Sequence, residues 1–263
     1  MTTLPRLSRA SAYAIPAGAN FLDDLAQILA QETDLKNKPD ALADALIYVP
    51  NRRSERALAF ALYRAAGHQA LLLPTVRALG DLETADPPPN AEAALADLPP
   101  IMSSATRLGA LTKLVMGFYE TSGRPLPAIS CLAAARELAR LLDQAALAQD
   151  VDWHALETLV PEADLATHWQ DSVKFLRIIT DVWPSLLEDA QKMDPYARRL
   201  AAAEAMVRTW EVAPPSSPVI IAGSTGATPA SRVLMRAALS LPQGMVVFPG
   251  LDLSLEPATY KEV

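Results

Sequence analysis

Residues 12–29, AYAIPAGANFLDDLAQIL, decide how this chain is read. A short apolar run leads into the small, turn-prone residues Pro16, Ala17, Gly18, Ala19 and Asn20, and an amphipathic helix follows. Strand, turn and helix in that order is the setting of a phosphate-binding loop. A working loop needs several glycines, a Lys for the β- and γ-phosphates and a hydroxyl for magnesium. Here Gly18 is the lone glycine, and Ala19, Asn20 and Phe21 come next. A helix N-terminus by itself favours anions, but Asp23 and Asp24 in the first turn oppose one. The residues therefore predict a strand-to-helix turn without phosphate chemistry.

Three more segments read as buried strands: ALIYVP (45–50), VIIAG (219–223) and MVVFPG (245–250). QALLLPTVRAL (69–79) offers a further one. Helix-like segments follow three of the four main strands, which predicts parallel β-α-β units and an α/β fold. From about 101 to 212 the pattern is helical almost throughout, and proline-rich joints at 85–100 and 213–218 bracket it. Ser130 is expected to cap the helix that starts at Cys131, and Asp194 with Pro195 to open another. The predicted organisation is one α/β domain built from 1–95 plus 213–263, with a helical insertion at 96–212.

Composition narrows the function. The 263 residues are 51% hydrophobic and 20% charged, with a net charge of −7, so nucleic acid requires a local basic patch or a partner supplying positive charge. The single cysteine, Cys131, excludes an internal disulfide framework and suits a reducing cytoplasm. No signal peptide and no membrane span are read, so a cytoplasmic location is expected.

Two loops carry candidate chemistry. Gly223, Ser224, Thr225, Gly226 and Thr228 follow a strand and enter a helix, where free N–H groups can hold a phosphate or a DNA backbone. The same residues also make an ordinary turn, with Thr228 as cap and Pro229 in the first helical position. Asn51, Arg52, Arg53 and Ser54, with Arg56 just beyond, crowd cations at a helix N-terminus, against the dipole. A nucleic-acid backbone explains that placement, and so does a solvated charged face that includes Glu55. His68, His154 and His168 are scattered and no metal-ligand spacing exists, so no metal, cofactor or catalytic residue is assigned. Cys131 and the four tryptophans (Trp153, Trp169, Trp183, Trp210) read as packing.

Taken in order, YAIPAGANFLDDLA, ALIYVPNRRSERAL, ALLLPTVRALGDLE, DLATHWQDSVKFLRIITDVWP, DPYARRLAAAEAMVRTW and VIIAGSTGATPASRVLMRAAL resemble the N-terminal region of the AddB family. These are the second subunits of bacterial AddAB helicase–nucleases, and the likeness is to the alphaproteobacterial form. The resemblance implies a P-loop-NTPase fold of the superfamily 1 helicase type, domain 1A, interrupted by a helical domain 1B. It places residues 16–20 at the Walker A position and Ala222–Gly223 where Walker B delivers its acidic pair. Both lack the residues of magnesium–ATP chemistry. Asn51, Arg52, Arg53 and Ser54 fall at motif Ia, which lies against single-stranded DNA, and FPGLD (248–252) near motif III, without its usual Gln and Arg. The implied role is non-catalytic, in DNA double-strand break repair by recombination, with an AddA-like motor subunit and single-stranded or duplex-end DNA as partners. The family continues into a second helicase-like half and a nuclease, neither of which is read in these 263 residues. A phosphate-ligand-binding α/β enzyme using the 223–229 loop and a purely structural interaction domain stand as alternatives.

Overall fold

The computed structural model describes residues 11–82, 91–148 and 174–250. Strands β1 (Ser11–Ile15), β2 (Leu46–Val49), β3 (Thr75–Ala78), β4 (Val219–Ala222) and β5 (Gly244–Pro249) form one sheet in the order β1-β5-β4-β2-β3. Every neighbouring pair is parallel. This is the α/β class expected, and the 69–79 segment supplies its fifth strand, confined to the four residues after Pro74.

Central strands of near-continuous apolar sequence are explained by cover on both faces. Ile47, Val49, Ile220, Ala222, Met245 and Val247 pack in one cluster with helices α1 (Phe21–Glu32) and α2 (Arg52–Ala65). Leu25 and Leu29 of α1 and Leu58 and Leu62 of α2 recur at four-residue spacing and are fully buried there. Each such leucine contributes roughly 2 kcal/mol. The alternate strand residues Tyr48, Val219, Ile221 and Val246 are buried as well, and period-two alternation puts them on the other face. On that face Tyr48 Oη donates to Sδ of Met206 at 4.0 Å.

The chain divides into two compact units, Met1–Leu95 with Ala201–Val263, and Ala96–Leu200. After the short α3 (Glu92–Ala96), the second unit contains α4 (Ser104–Thr121), α5 (Ala128–Ala148) and a π-helical turn (Ile178–Val182) that runs into α6 (Trp183–Asp189). Its core gathers Leu111, Val115, Cys131, Ala135, Leu138, Ile178 and Trp183. Helix α7 (Pro195–Val212) starts in this unit, but its residues from 201 onward belong with the sheet. The boundary expected at 213 thus falls at 201, because Ala202, Ala203, Ala205, Met206 and Trp210 are buried.

The expected cap at Ser130 differs, whereas Asp194 keeps the cap position, its carbonyl accepting from Arg198 N–H at 2.9 Å. Helix α5 begins at Ala128, and the Pro127 carbonyl accepts from the N–H groups of Ser130 and Cys131, so Ser130 lies inside the first turn. Asp194 does precede Pro195, yet its carboxylate faces Arg107 and accepts from Trp183 Nε1 at 2.8 Å. Helix α8 (Pro229–Ser240) links β4 to β5.

Candidate functional site

The carboxyl edge of the sheet collects every loop singled out in the sequence. β1, β2 and β4 all run parallel, so the turns at 16–20, 50–54 and 223–228 leave from the same edge. Right-handed crossovers send α1 and α2 to one face, because the chain steps toward β3, and α8 to the other, because it steps back toward β1. Connections therefore diverge between the adjacent strands β2 and β4, which opens a crevice at their carboxyl ends. Gly223 lies at its floor. A Cβ there would come within 3.1 Å of Phe21 Cε1 and 3.4 Å of Pro50 Cδ, and its φ of +79° suits glycine alone. The start of α1, the end of β2 and the 223–228 loop meet at this point.

Pro16, Ala17, Gly18, Ala19 and Asn20 are all exposed, and Gly18 has open space around it at φ +86°. The Asn20 side chain caps nothing; its amide donates to Asp23, which also pairs with Arg64. Residues 16–20 carry no cation, and carboxylates occupy the first turn of α1. The 223–228 loop is largely satisfied internally. Ser224 Oγ accepts from Gly226 N–H at 3.2 Å, and Arg232 donates to the Gly226 carbonyl at 3.0 Å. Thr228 and Ser231 form a reciprocal capping box. Thr225 is exposed.

The β2–α2 turn presents the positive charge. Asn51 caps α2: its Oδ1 accepts from Ser54 N–H at 3.0 Å and from Ser54 Oγ at 3.3 Å. The sequence offered Asn51 and Ser54 as phosphate donors; the cap takes up both donors of Ser54 and, on Asn51, only the accepting Oδ1. Arg52 Nε donates to Asp81 Oδ2 at 2.6 Å, while Arg53 and Arg56 are exposed and make no ion pair among the described residues. Asp81 ends a short 3-10 turn (Leu79–Asp81) after β3, held by Gly80 N–H donating to the Pro50 carbonyl at 3.1 Å. A Cβ on Gly80 would sit 3.2 Å from that oxygen, so the approach is close. Asn51, Arg52, Arg53, Gly80 and Asp81 line an open cleft of about 720 Å³. Sequence reading missed Asp81; its signal is an acid placed directly after the glycine of the turn that follows a strand.

The remaining titratable candidates serve packing. Cys131 is buried, with its thiol 3.7 Å from the Leu126 carbonyl. Burial drives the Tyr48 phenol far above its ordinary pKa, against the pull of Arg77. His154, His168, Trp153 and Trp169 lie outside the described residues. Among the described residues no group of three or more His, Cys, Asp or Glu is placed to hold a metal, and no helix is long and apolar enough to cross a membrane. No protein-family model matches the chain, and no curated protein matches it.

Proposed function

We propose that this chain is a nucleotide-inactive, superfamily 1 helicase-like module of the AddB type, with 96–200 in the place of a helical domain 1B. It holds single-stranded DNA at a double-strand break and docks on an AddA-like motor. The observation that carries this reading is the placement of loops on one sheet edge. On this reading the loops after β1 and β4 take the Walker A and Walker B roles; they are separated only by β5, roughly 10 Å at the usual strand spacing. Neither carries the lysine or the acidic pair, while the arginines of the β2–α2 turn open directly onto the neighbouring cleft. A site stripped of magnesium–ATP chemistry but keeping a cationic rim suits binding without turnover. The phosphate-cradle enzyme is less well supported, since Ser224 and Thr228 are occupied by their own loop.

The test is fluorescence anisotropy of a labelled oligo-dT with the full chain across a salt series, beside Arg52→Ala/Arg53→Ala. The proposal expects affinity to fall steeply with salt and the double variant to bind weakly with a shallower slope. Loss of binding in neither condition, or no binding even at low salt, would overturn it.

A further inference from the structure

Helix α2 carries an exposed stripe that the cleft does not explain. Arg53, Arg56, Phe60 and Tyr63 follow one another at spacings of three, four and three residues. At 3.6 residues per turn all four project within about 80° of one another. They lie opposite Leu58, Ala61 and Leu62, which are buried against the sheet. Phe60 is 66% exposed and Tyr63 41%. Tyr63 is steadied by an edge-on contact with His68, centroids 5.3 Å apart. Two cations followed by two solvent-facing aromatics on one helix are unusual in a chain of net charge −7. The pairing of phosphate-seeking guanidinium groups with stacking faces is what an unpaired strand requires.

We infer that the outer face of α2 is a track for single-stranded nucleic acid, DNA on the reading above, leading away from the Arg52–Arg53 cleft. Arg53 and Arg56 take backbone phosphates, and Phe60 and Tyr63 stack on bases. The two cations and the two aromatics stand about 10 Å apart along the axis, room for roughly three stacked nucleotides. Charge complementarity favours this occupant over an apolar protein surface, because both guanidinium groups border the aromatics without an ion partner among the described residues. The track rests on the DNA-holding function proposed for the cleft, and the experiment separates the two.

Oligo-dT and an abasic oligomer of equal length are titrated against the parent, Phe60→Ala/Tyr63→Ala, Phe60→Trp and Arg52→Ala/Arg53→Ala. Stacking predicts that Phe60→Ala/Tyr63→Ala weakens oligo-dT binding by about tenfold or more. It also predicts that this variant leaves affinity for the abasic strand unchanged and that Phe60→Trp keeps full affinity. Both aromatics are exposed, so an unchanged melting temperature is expected and excludes misfolding as the cause. If only the arginine variant loses binding, the aromatic track is wrong and the cleft reading survives. No binding by the parent sinks both. If the aromatic variant keeps its oligo-dT affinity but abolishes a concentration-dependent self-association of the parent, the stripe seats a second copy of the chain and the track is overturned.

Discussion

Arg107 is the cation on which the helical unit depends, and its removal gives the most quantitative forecast. Its side chain is 10% exposed, with Nη1 2.8 Å from Asp143 Oδ1 and Nη2 3.0 Å from Asp194 Oδ1. Asp194 is itself 14% exposed and also accepts from Trp183. Arg107→Ala leaves two carboxylates facing a space that held positive charge. Removing one partner of a buried pair costs roughly 3–5 kcal/mol. The single cysteine supplies a local assay, because Cys131 lies fully buried in the same core as Leu111, Ala135 and Trp183. Its reaction with a small disulfide reagent, normalised to the unfolded chain, reports opening of this unit alone. At about 1.4 kcal/mol per decade, Arg107→Ala raises the opening population roughly 100- to 4,000-fold at neutral pH. Burial, opposed by Arg107, holds the Asp194 carboxyl above its usual range. On acidification Asp194 takes up a proton, the unpaired charge disappears and the deficit of the variant shrinks. A labelling rate within threefold of the parent, or a deficit that grows in acid, would refute the reasoning.

Three further outcomes are expected. In the parent, the folded pKa of Asp194 lies above its unfolded value, so its stabilising contribution is present below about 3.8 and is lost as pH rises through the folded pKa. The stability of Asp194→Asn relative to the parent, read by the same thiol reaction, should accordingly climb with pH and then level; a fall would contradict the assignment. Gly244→Ala places a methyl 1.6 Å from the Ala238 carbonyl oxygen, which forces α8 and β5 apart. The loss should be about 3 kcal/mol or more in a urea titration, at the upper end for overpacking. Thr228→Ala removes the α8 cap and should cost about 1 kcal/mol of stability while leaving oligo-dT affinity intact. A loss of affinity there would return the 223–228 loop to phosphate binding.

Local chemistry made most of the sheet legible. Leu46–Val49, Val219–Ala222 and Gly244–Pro249 stand out because a parallel strand covered on both faces needs an unbroken apolar run. Thr228-Pro229 announces the start of α8 because capping is a contact between neighbours in sequence. Non-local choices were hidden. The alanines of α7 fit the core of either unit, and the sequence does not say that residues 202–210 bury against the sheet. Asp194 before Pro195 reads as a helix cap, with no sign that Arg107, in a distant helix, claims its carboxylate. Ser54 looked like a free donor because its hydrogen bonds to Asn51 Oδ1 appear only once the helix forms. Phe60 and Tyr63 were visible at helical spacing off the Leu58–Leu62 line, but only burial separates an outward aromatic from a core one.

The central claim is that DNA lies on the β2–α2 side of the carboxyl edge, and crosslinking locates it directly. An oligo-dT carrying 4-thiothymidine is irradiated with the full chain, and the modified peptides are identified by mass spectrometry. Crosslinks concentrated in residues 51–63, and reduced when Arg52 and Arg53 are replaced by alanine, are predicted. Crosslinks confined to 16–20 or to 96–200, or none above an irradiated control protein, would contradict it.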